Sequence, residues 1–404
     1  MKITCKVQFK TQVWEGNAAA AMKNPELWAT HKKTSDSPWK ENLLFDQGLN
    51  GLAGSGSPLS LRQTPDSCFA YCCVGSGTNP NSQASGAITF TQSGTALTAS
   101  GSFFSIGMIG QLFKYGTGTG GAEYYITGFT SDTSVTVDTS ATVSTPTVGT
   151  VWKVNQTLLQ TPLWPTDSYR TLAGDNSTTL GASTCTHQRT LVISNKGTTY
   201  NVNEIGYAGN LPSGAASNMA GRFVLPSTDV VTPTQYYLII MQFVAVYSPG
   251  TPTAVSNVGT TIDTSGNLML ETIGRNGLSQ VNSNGTSTGG GGLENGSSLS
   301  LYFSTAAYTQ NGSPATSTTG GISFPTAVTL PSASWAYAGS RGTMQLNFTG
   351  STTTAGGLSY GIGIGPTTSQ IQLDVKLTTP YTFPIGLFQP LTVWQCVFDR
   401  ALSN

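Results

Sequence analysis

The chain has 404 residues, of which Lys and Arg supply 18 and Asp and Glu another 18, so 9% of its side chains are charged and the formal net charge is zero, where an average soluble domain is about one quarter charged. Such a chain sets up no field to gather phosphate backbones or anionic headgroups, which argues against nucleic-acid and membrane-surface partners. Its 48 Gly and 20 Pro, set among many Ser, Thr and Asn, exclude long helices, while 38% hydrophobic residues suffice for two or three buried cores.

Residues 1–50 carry 7 Lys and 5 acidic side chains, a third of all the charge. Within them Ile3, Cys5, Val7 and Phe9 alternate with Lys2, Lys6 and Lys10, the period of two that marks a half-buried strand. Residues 1–40 are read as this strand plus a charged arm. The arm is expected to add to the sheet of a neighbouring subunit, and pairing within the chain is the alternative. Phe45, Leu49 and Leu52 then recur at helical spacing, which predicts a short helix capped by Asn42 and ended by Gly54.

Phe69–Val74 is a compact apolar run that closes on a Gly/Asn/Pro loop, a buried strand. From residue 86 to 154 the texture changes to short alternating strands at 88–90, 111–115, 124–126, 134–138 and 151–154, which suits a small β-barrel or hairpin module inserted into a host domain. Residues 189–193 and 200–208, separated by Asn195-Lys196-Gly197, read as a hairpin. Tyr236–Tyr247 is the longest apolar stretch, twelve residues with Gln242 inside it. That is short of the roughly 20 residues a membrane helix needs, and apolar on both faces as a central strand is. Residues 249–339 are Gly-, Ser- and Thr-rich around Gly289–Gly292 and read as a long, partly ordered excursion, after which 340–404 recovers β alternation. The expected fold is therefore all-β: a sandwich-like host domain from 41–85, 155–248 and 340–404, with the inserted small β-barrel or hairpin module and the Gly/Ser-rich excursion.

The start MKITCKVQFK lacks the apolar core of a secretory leader. Cys5, Cys68, Cys72, Cys73, Cys185 and Cys396 are scattered and read as buried thiols in preference to disulfides. A zinc site from Cys68, Cys72, Cys73 and His187 lacks the paired-knuckle spacing of structural zinc. The six Asn-x-Ser/Thr sequons, such as the one at Asn176, follow from composition. Gly357-Leu358-Ser359-Tyr360-Gly361 has the letters of a nucleophile elbow, but a strand follows Ser359 and the only histidines, His31 and His187, lie upstream. Gly116–Gly121 has the letters of a dinucleotide loop, yet leads into a strand where a helix is required. His31 beside Lys32 and Lys33 reads as solvated, and His187 as structural. Glycan hydrolysis would need two carboxylates. Asp167, Asp175, Glu204 and Asp229 are candidates that no spacing pairs. Trp152, Trp164 and Trp335 could stack on sugar rings but fit a core or interface better.

Trp39-Lys40-Glu41-Asn42-Leu43-Leu44-Phe45-Asp46-Gln47-Gly48-Leu49, followed by Tyr71-Cys72-Cys73-Val74-Gly75-Ser76-Gly77-Thr78, resembles an N-terminal pattern of structural proteins from tailed-bacteriophage virions, with Ser76 where that pattern commonly has Thr. Asn203–Tyr207, Gly221–Leu225 and the apolar strand at 236–247 are similar to stretches that follow in such proteins, and the module around Phe103–Val137 is similar to small β modules of tail and fibre proteins. The resemblance implies a non-enzymatic virion subunit, made in the host cytoplasm and assembled in several copies with itself and other virion proteins. It implies a place in the tail or tail-attached apparatus ahead of the neck or capsid surface. No catalytic residue, metal or cofactor carries over. The alternative is a fibre or decoration protein that binds a host-surface glycan or receptor, with loops 110–122 and 285–297 as tips; glycan hydrolysis is the weaker alternative.

Overall fold

The computed structural model describes residues 2–16, 30–52, 71–116, 121–156, 158–163, 170–171, 177–180, 184–193, 197–208, 219–248, 253–255, 260–262, 267–268, 299–304, 326–337, 341–349, 358–365, 373–382 and 394–401. The fold is all-β. Among these residues the exceptions are one helix, α1 (Asp46–Leu52), and a 3-10 turn at Ile106–Met108.

β1 (Lys2–Glu15) is the spine of the main sheet. Along one edge it runs antiparallel to β14 (Gln235–Ser248) over its whole length, with Lys2 opposite Ser248 and Glu15 opposite Gln235. Along the other edge three short strands follow one another. β23 (Trp394–Arg400) lies parallel to Lys2–Cys5, β3 (Lys40–Leu44) lies against Val7–Phe9, and β2 (Lys33–Asp36) against Gln12–Trp14. β14 in turn carries β11 (Thr184–Ile193), bordered by β9 (Arg170–Thr171) and β10 (Ser177–Leu180). The period-two expectation holds: Ile3, Cys5, Val7 and Phe9 are all buried. The neighbour-docking expectation does not, because Lys2–Glu15 is paired on both edges inside the chain.

A second sheet runs β4 (Tyr71–Gly75), β12 (Tyr200–Ala208), β13 (Met219–Val231), β3. β3 belongs to both sheets, since Lys40–Asn42 pairs with β1 while Leu43 and Leu44 pair with Arg222 and Gly221. The sheets meet at that corner and face each other elsewhere, with the rings of Phe9 and Phe223 edge to face at 4.8 Å. This corner also corrects the helix expectation. The sheet takes Lys40–Leu44, so Asn42 lies in a strand and α1 begins only at Asp46; Gly54 lies outside the described residues. The expected 189–208 hairpin is likewise overturned. β11 pairs with β14, and β12 with β13 and β4, so the segment between them crosses from one sheet to the other.

β5 (Ser82–Ala99), β6 (Leu112–Tyr115), β7 (Glu123–Ser131) and β8 (Ser134–Trp152) form a separate four-stranded sheet. Glycines at positive φ, Gly86 and Gly94, bend β5 until Ser100 N donates to Thr89 O at 2.8 Å, which curls the sheet into a small barrel. The strands expected at 134–138 and 151–154 are the two ends of the single strand β8. The β-branched run between them pairs with β5, and the register skips from Val143 to Thr147 around Pro146, where the ladder loses a donor.

Beyond β23 the main sheet continues through β20 (Thr343–Thr349), β19 (Thr326–Tyr337), β18 (Leu299–Ser304), β21 (Leu358–Gly365) and β22 (Leu373–Thr382). β16 (Thr260–Ile262), with β15 (Thr253–Val255) on it, and β17 (Asn267–Leu268) border β22. Residues 249–339 thus contribute strands to the sheet, while the Gly289–Gly292 stretch lies outside the described residues.

Candidate functional site

Glu204 and Arg222 are a fully buried ion pair, with Arg222 Nε donating to Glu204 Oε2 at 2.6 Å. They project from adjacent strands of the second sheet, and the surrounding loops close on them. Glu204 Oε1 accepts from the backbone N–H of Gly77 at 3.1 Å and of Thr161 at 2.7 Å, and Oε2 also accepts from Gln160 N at 3.1 Å. Arg222 Nη1 donates to Asn79 O and Asn81 Oδ1, and Asn81 Nδ2 donates back to Arg222 O at 2.6 Å. A Cβ on Gly75 or Gly77 would stand 2.4 or 2.6 Å from Glu204 Oε1. Only glycine lets the loop approach the carboxylate this closely. The arrangement satisfies a buried charge by neutralisation and multiple hydrogen bonds, which is what makes such a charge tolerable.

A second polar cluster joins the barrel, α1 and β23. Tyr125 of β7 donates its hydroxyl hydrogen to Asp46 Oδ1 at 2.7 Å, and Arg400, buried, reaches both Asp46 and the Tyr125 oxygen. Arg341 also donates to that oxygen and lies over the Tyr125 ring, 4.6 Å from its centroid. Burial pushes the Tyr125 phenol up, and Asp46 beside it adds to the shift, so the hydroxyl stays protonated.

Two of the four carboxylates put forward for glycan hydrolysis, Glu204 and Asp229, are committed to structural hydrogen bonds. Glu204 is locked as above. Asp229 Oδ2 accepts from Thr11 Oγ1 at 2.8 Å and from the Tyr237 hydroxyl at 2.6 Å. Asp167, Asp175 and Trp164 lie outside the described residues, as do the side chains of His187 and Trp335. Ser359 falls inside β21, opposite Tyr381, and a strand continues past it, which removes the turn an elbow requires. His31 corrects its expectation. It is half-buried, its Nδ1 shares a hydrogen bond with the Tyr236 hydroxyl at 3.0 Å, and the two rings pack edge to face. Cys5, Cys72 and Cys73 are buried free thiols, and burial pushes Cys73 to about 12, with Glu204 adding to it. Among the described residues no group of three His, Cys, Asp or Glu could hold a metal ion, and no helix is long and apolar enough to cross a membrane. Of loop 110–122, residues 117–120 lie outside the described residues, as does all of 285–297.

A cleft of about 450 Å³ opens beside the first clamp, lined by Lys40, Asn42, Asn81, Trp152, Phe223 and Val224 among others. Trp152, raised at the sequence level, forms part of its wall and also packs with Leu43, Phe45, Leu112 and Val154 in the layer between barrel and host. The clamp partners Arg222 and Asn81, and Arg400 of the second cluster, were missed by sequence reasoning. The available signal was a single charge in second place in each of two short, mostly apolar stretches, Asn203–Tyr207 and Gly221–Leu225.

No protein-family model matches the chain, and no curated protein matches it either.

Proposed function

We propose that the chain is a non-enzymatic structural subunit of a tailed-bacteriophage virion, made in the host cytoplasm and assembled in several copies in the tail or tail-attached apparatus. The observation that carries this reading is where the resembling stretches lie. Those from Trp39 to Leu49, Tyr71 to Thr78, Asn203 to Tyr207 and Gly221 to Leu225 contribute to β3, β4, β12 and β13, which pair as one sheet, and to the helix α1. The buried Glu204–Arg222 pair comes from two of them, and the glycines that admit it come from a third. Their shared purpose is to hold a scaffold together. Low charge and hydroxyl-rich strands suit faces covered by neighbouring subunits.

Sedimentation equilibrium of the purified chain at low and at molar salt tests the reading. The expected result is a multimer whose mass hardly changes with salt, because exposed ion pairs screened at high ionic strength contribute little to such faces. A monomer at both salt concentrations, or dissociation by salt alone, overturns it.

A further inference from the structure

We propose that the outer face of the main sheet, formed by β1, β14 and β11 with the short strands beside them, is the surface on which a second copy of this chain packs, sheet against sheet. This rests on the assembly reading and names the surface that assembly uses. The two faces of the sheet differ sharply. On the inner one Ile3, Cys5, Phe9, Met241 and Phe243 are fully buried, and Phe9 meets Phe223 of the facing sheet. On the outer one Thr4 and Gln8 of β1, Val244 and Val246 of β14 and Thr186 of β11 are only half-buried.

The polar groups of the outer face are matched to one another along its surface. Gln8 Nε2 donates to Gln242 Oε1 at 2.7 Å, and Gln242 Nε2 donates to Gln188 Oε1 at 2.8 Å, a ladder across all three strands. Lys2 pairs with Asp399 and Lys6 with Glu41. Lys10 lies over the Trp39 ring, and Asp36 holds both Gln12 and Lys33. Groups paired in this way keep their partners when water leaves, so covering the face costs less than covering free charges. With three of these four lysines matched by a carboxylate, the face has little net charge to draw an acidic or a basic partner. A partner as weakly charged as the face itself fits it, and this chain, 9% charged with a net charge of zero, is one.

The area is also sufficient. Thr184–Ile193, Tyr237–Val246 and Thr4–Val13 share a register of ten residues, and β23, β3 and β2 add a fourth strand width along β1. At about 3.4 Å per residue and about 4.8 Å per strand the footprint is about 650 Å². Each partner in a standard interface gives about 600–1,000 Å². Val244 and Val246 on one side of the glutamine ladder and Ile240 on the other supply its apolar strip.

Sedimentation equilibrium of the full chain, wild type against Val244→Arg, tests this. A two-fold pairing brings the same face of both copies together, so the variant sets an unpaired charge in each apolar strip. The weight-average mass should fall about twofold with the near-ultraviolet circular dichroism retained. If Val244→Arg loses that signal, Thr186→Arg on β11 takes its place. Thr136→Arg, at an exposed position of the barrel strand β8, should leave the mass unchanged. The proposal is overturned if the wild type is a multimer and the face variant keeps its mass, because something other than a second copy then covers the face. It is equally overturned if Thr136→Arg lowers the mass as much. Either result leaves the assembly reading standing, whereas a monomeric wild type overturns both.

Discussion

The small barrel and the β4–β12–β13–β3 sheet hold themselves together by opposite means. The barrel is built from one contiguous stretch and closes on aromatic rings. Phe90 packs edge to face on Phe103 and Phe113, and the chain of rings continues through Tyr115 to Tyr124. The sheet gathers distant segments around one charged pair, whose partners come from the loops at Gly77, Asn79 and Gln160–Thr161 as well as from the strands themselves. Rings fail by degrees, because each lost contact is one among many. A buried charge fails at once, because removing one partner strands the other in an apolar interior.

The largest effect is expected from Arg222→Ala, which leaves Glu204 buried and unpaired and should cost about 3–5 kcal/mol in chemical denaturation. Hydrogen-exchange protection should fall together in 71–77, 158–163 and 200–208. Loss confined to one of these segments would show that the clamp does not couple them. Phe113→Ala removes a buried ring that touches both Phe90 and Tyr115 and should cost about 3 kcal/mol, with faster exchange in 82–152 only. Equal acceleration in the sheet would mean that the two regions unfold as one unit.

Gly77→Ala sharpens the contrast from the loop side. Its Cβ would press on Glu204 Oε1 and on Gln160 Cβ at 2.5 Å, so the expected cost is about 1–3 kcal/mol, and an unchanged melting temperature would show that the loop yields freely. The smallest effect is at the β1–β23 seam, where Lys2 pairs with Asp399 at 2.9 Å. Burial raises the Asp399 pKa, but the hydrogen bond and charge of Lys2 outweigh it, and the carboxyl ends below its ordinary value. Its contribution is therefore present above the unfolded-state pKa and is lost as pH falls through the folded-state one. Asp399→Asn should flatten the acid limb of a stability–pH curve by under about 1 kcal/mol, since Lys2 is largely exposed. An unaltered acid limb would remove the pair from the account.

Strict alternation made β1 legible, because Ile3, Cys5, Val7 and Phe9 report one buried face whatever lies opposite them. The barrel strands were legible for the same reason, although the β-branched linker from Thr139 to Gly149 hid the continuity of β8. What periodicity cannot encode is the partner. Residues 189–208 contain two good strands and a good turn, yet the strands join different sheets because β14 and β13 offer longer apolar partners. Asn42 has the chemistry of a cap but lies where β1 and β13 both need a strand. The Glu204–Arg222 clamp was hidden for a related reason, since a lone charge in an apolar strand announces a requirement without naming what meets it.

The pairing of β1 also orders events in time. Its long partner, β14, begins at Gln235, and its parallel companion, β23, begins only at Trp394. A ribosome therefore releases β1 with only the short strands β2 and β3 close behind it, and its long edge waits for β14 through contacts of large sequence separation, which form slowly. Until then that edge is unpaired, open to the wrong sheet as readily as to the right one. Moving residues 2–15 to follow Ala401 through a linker would let β1 emerge after β14 and β23, and the soluble yield on synthesis would rise if this exposure is what limits it.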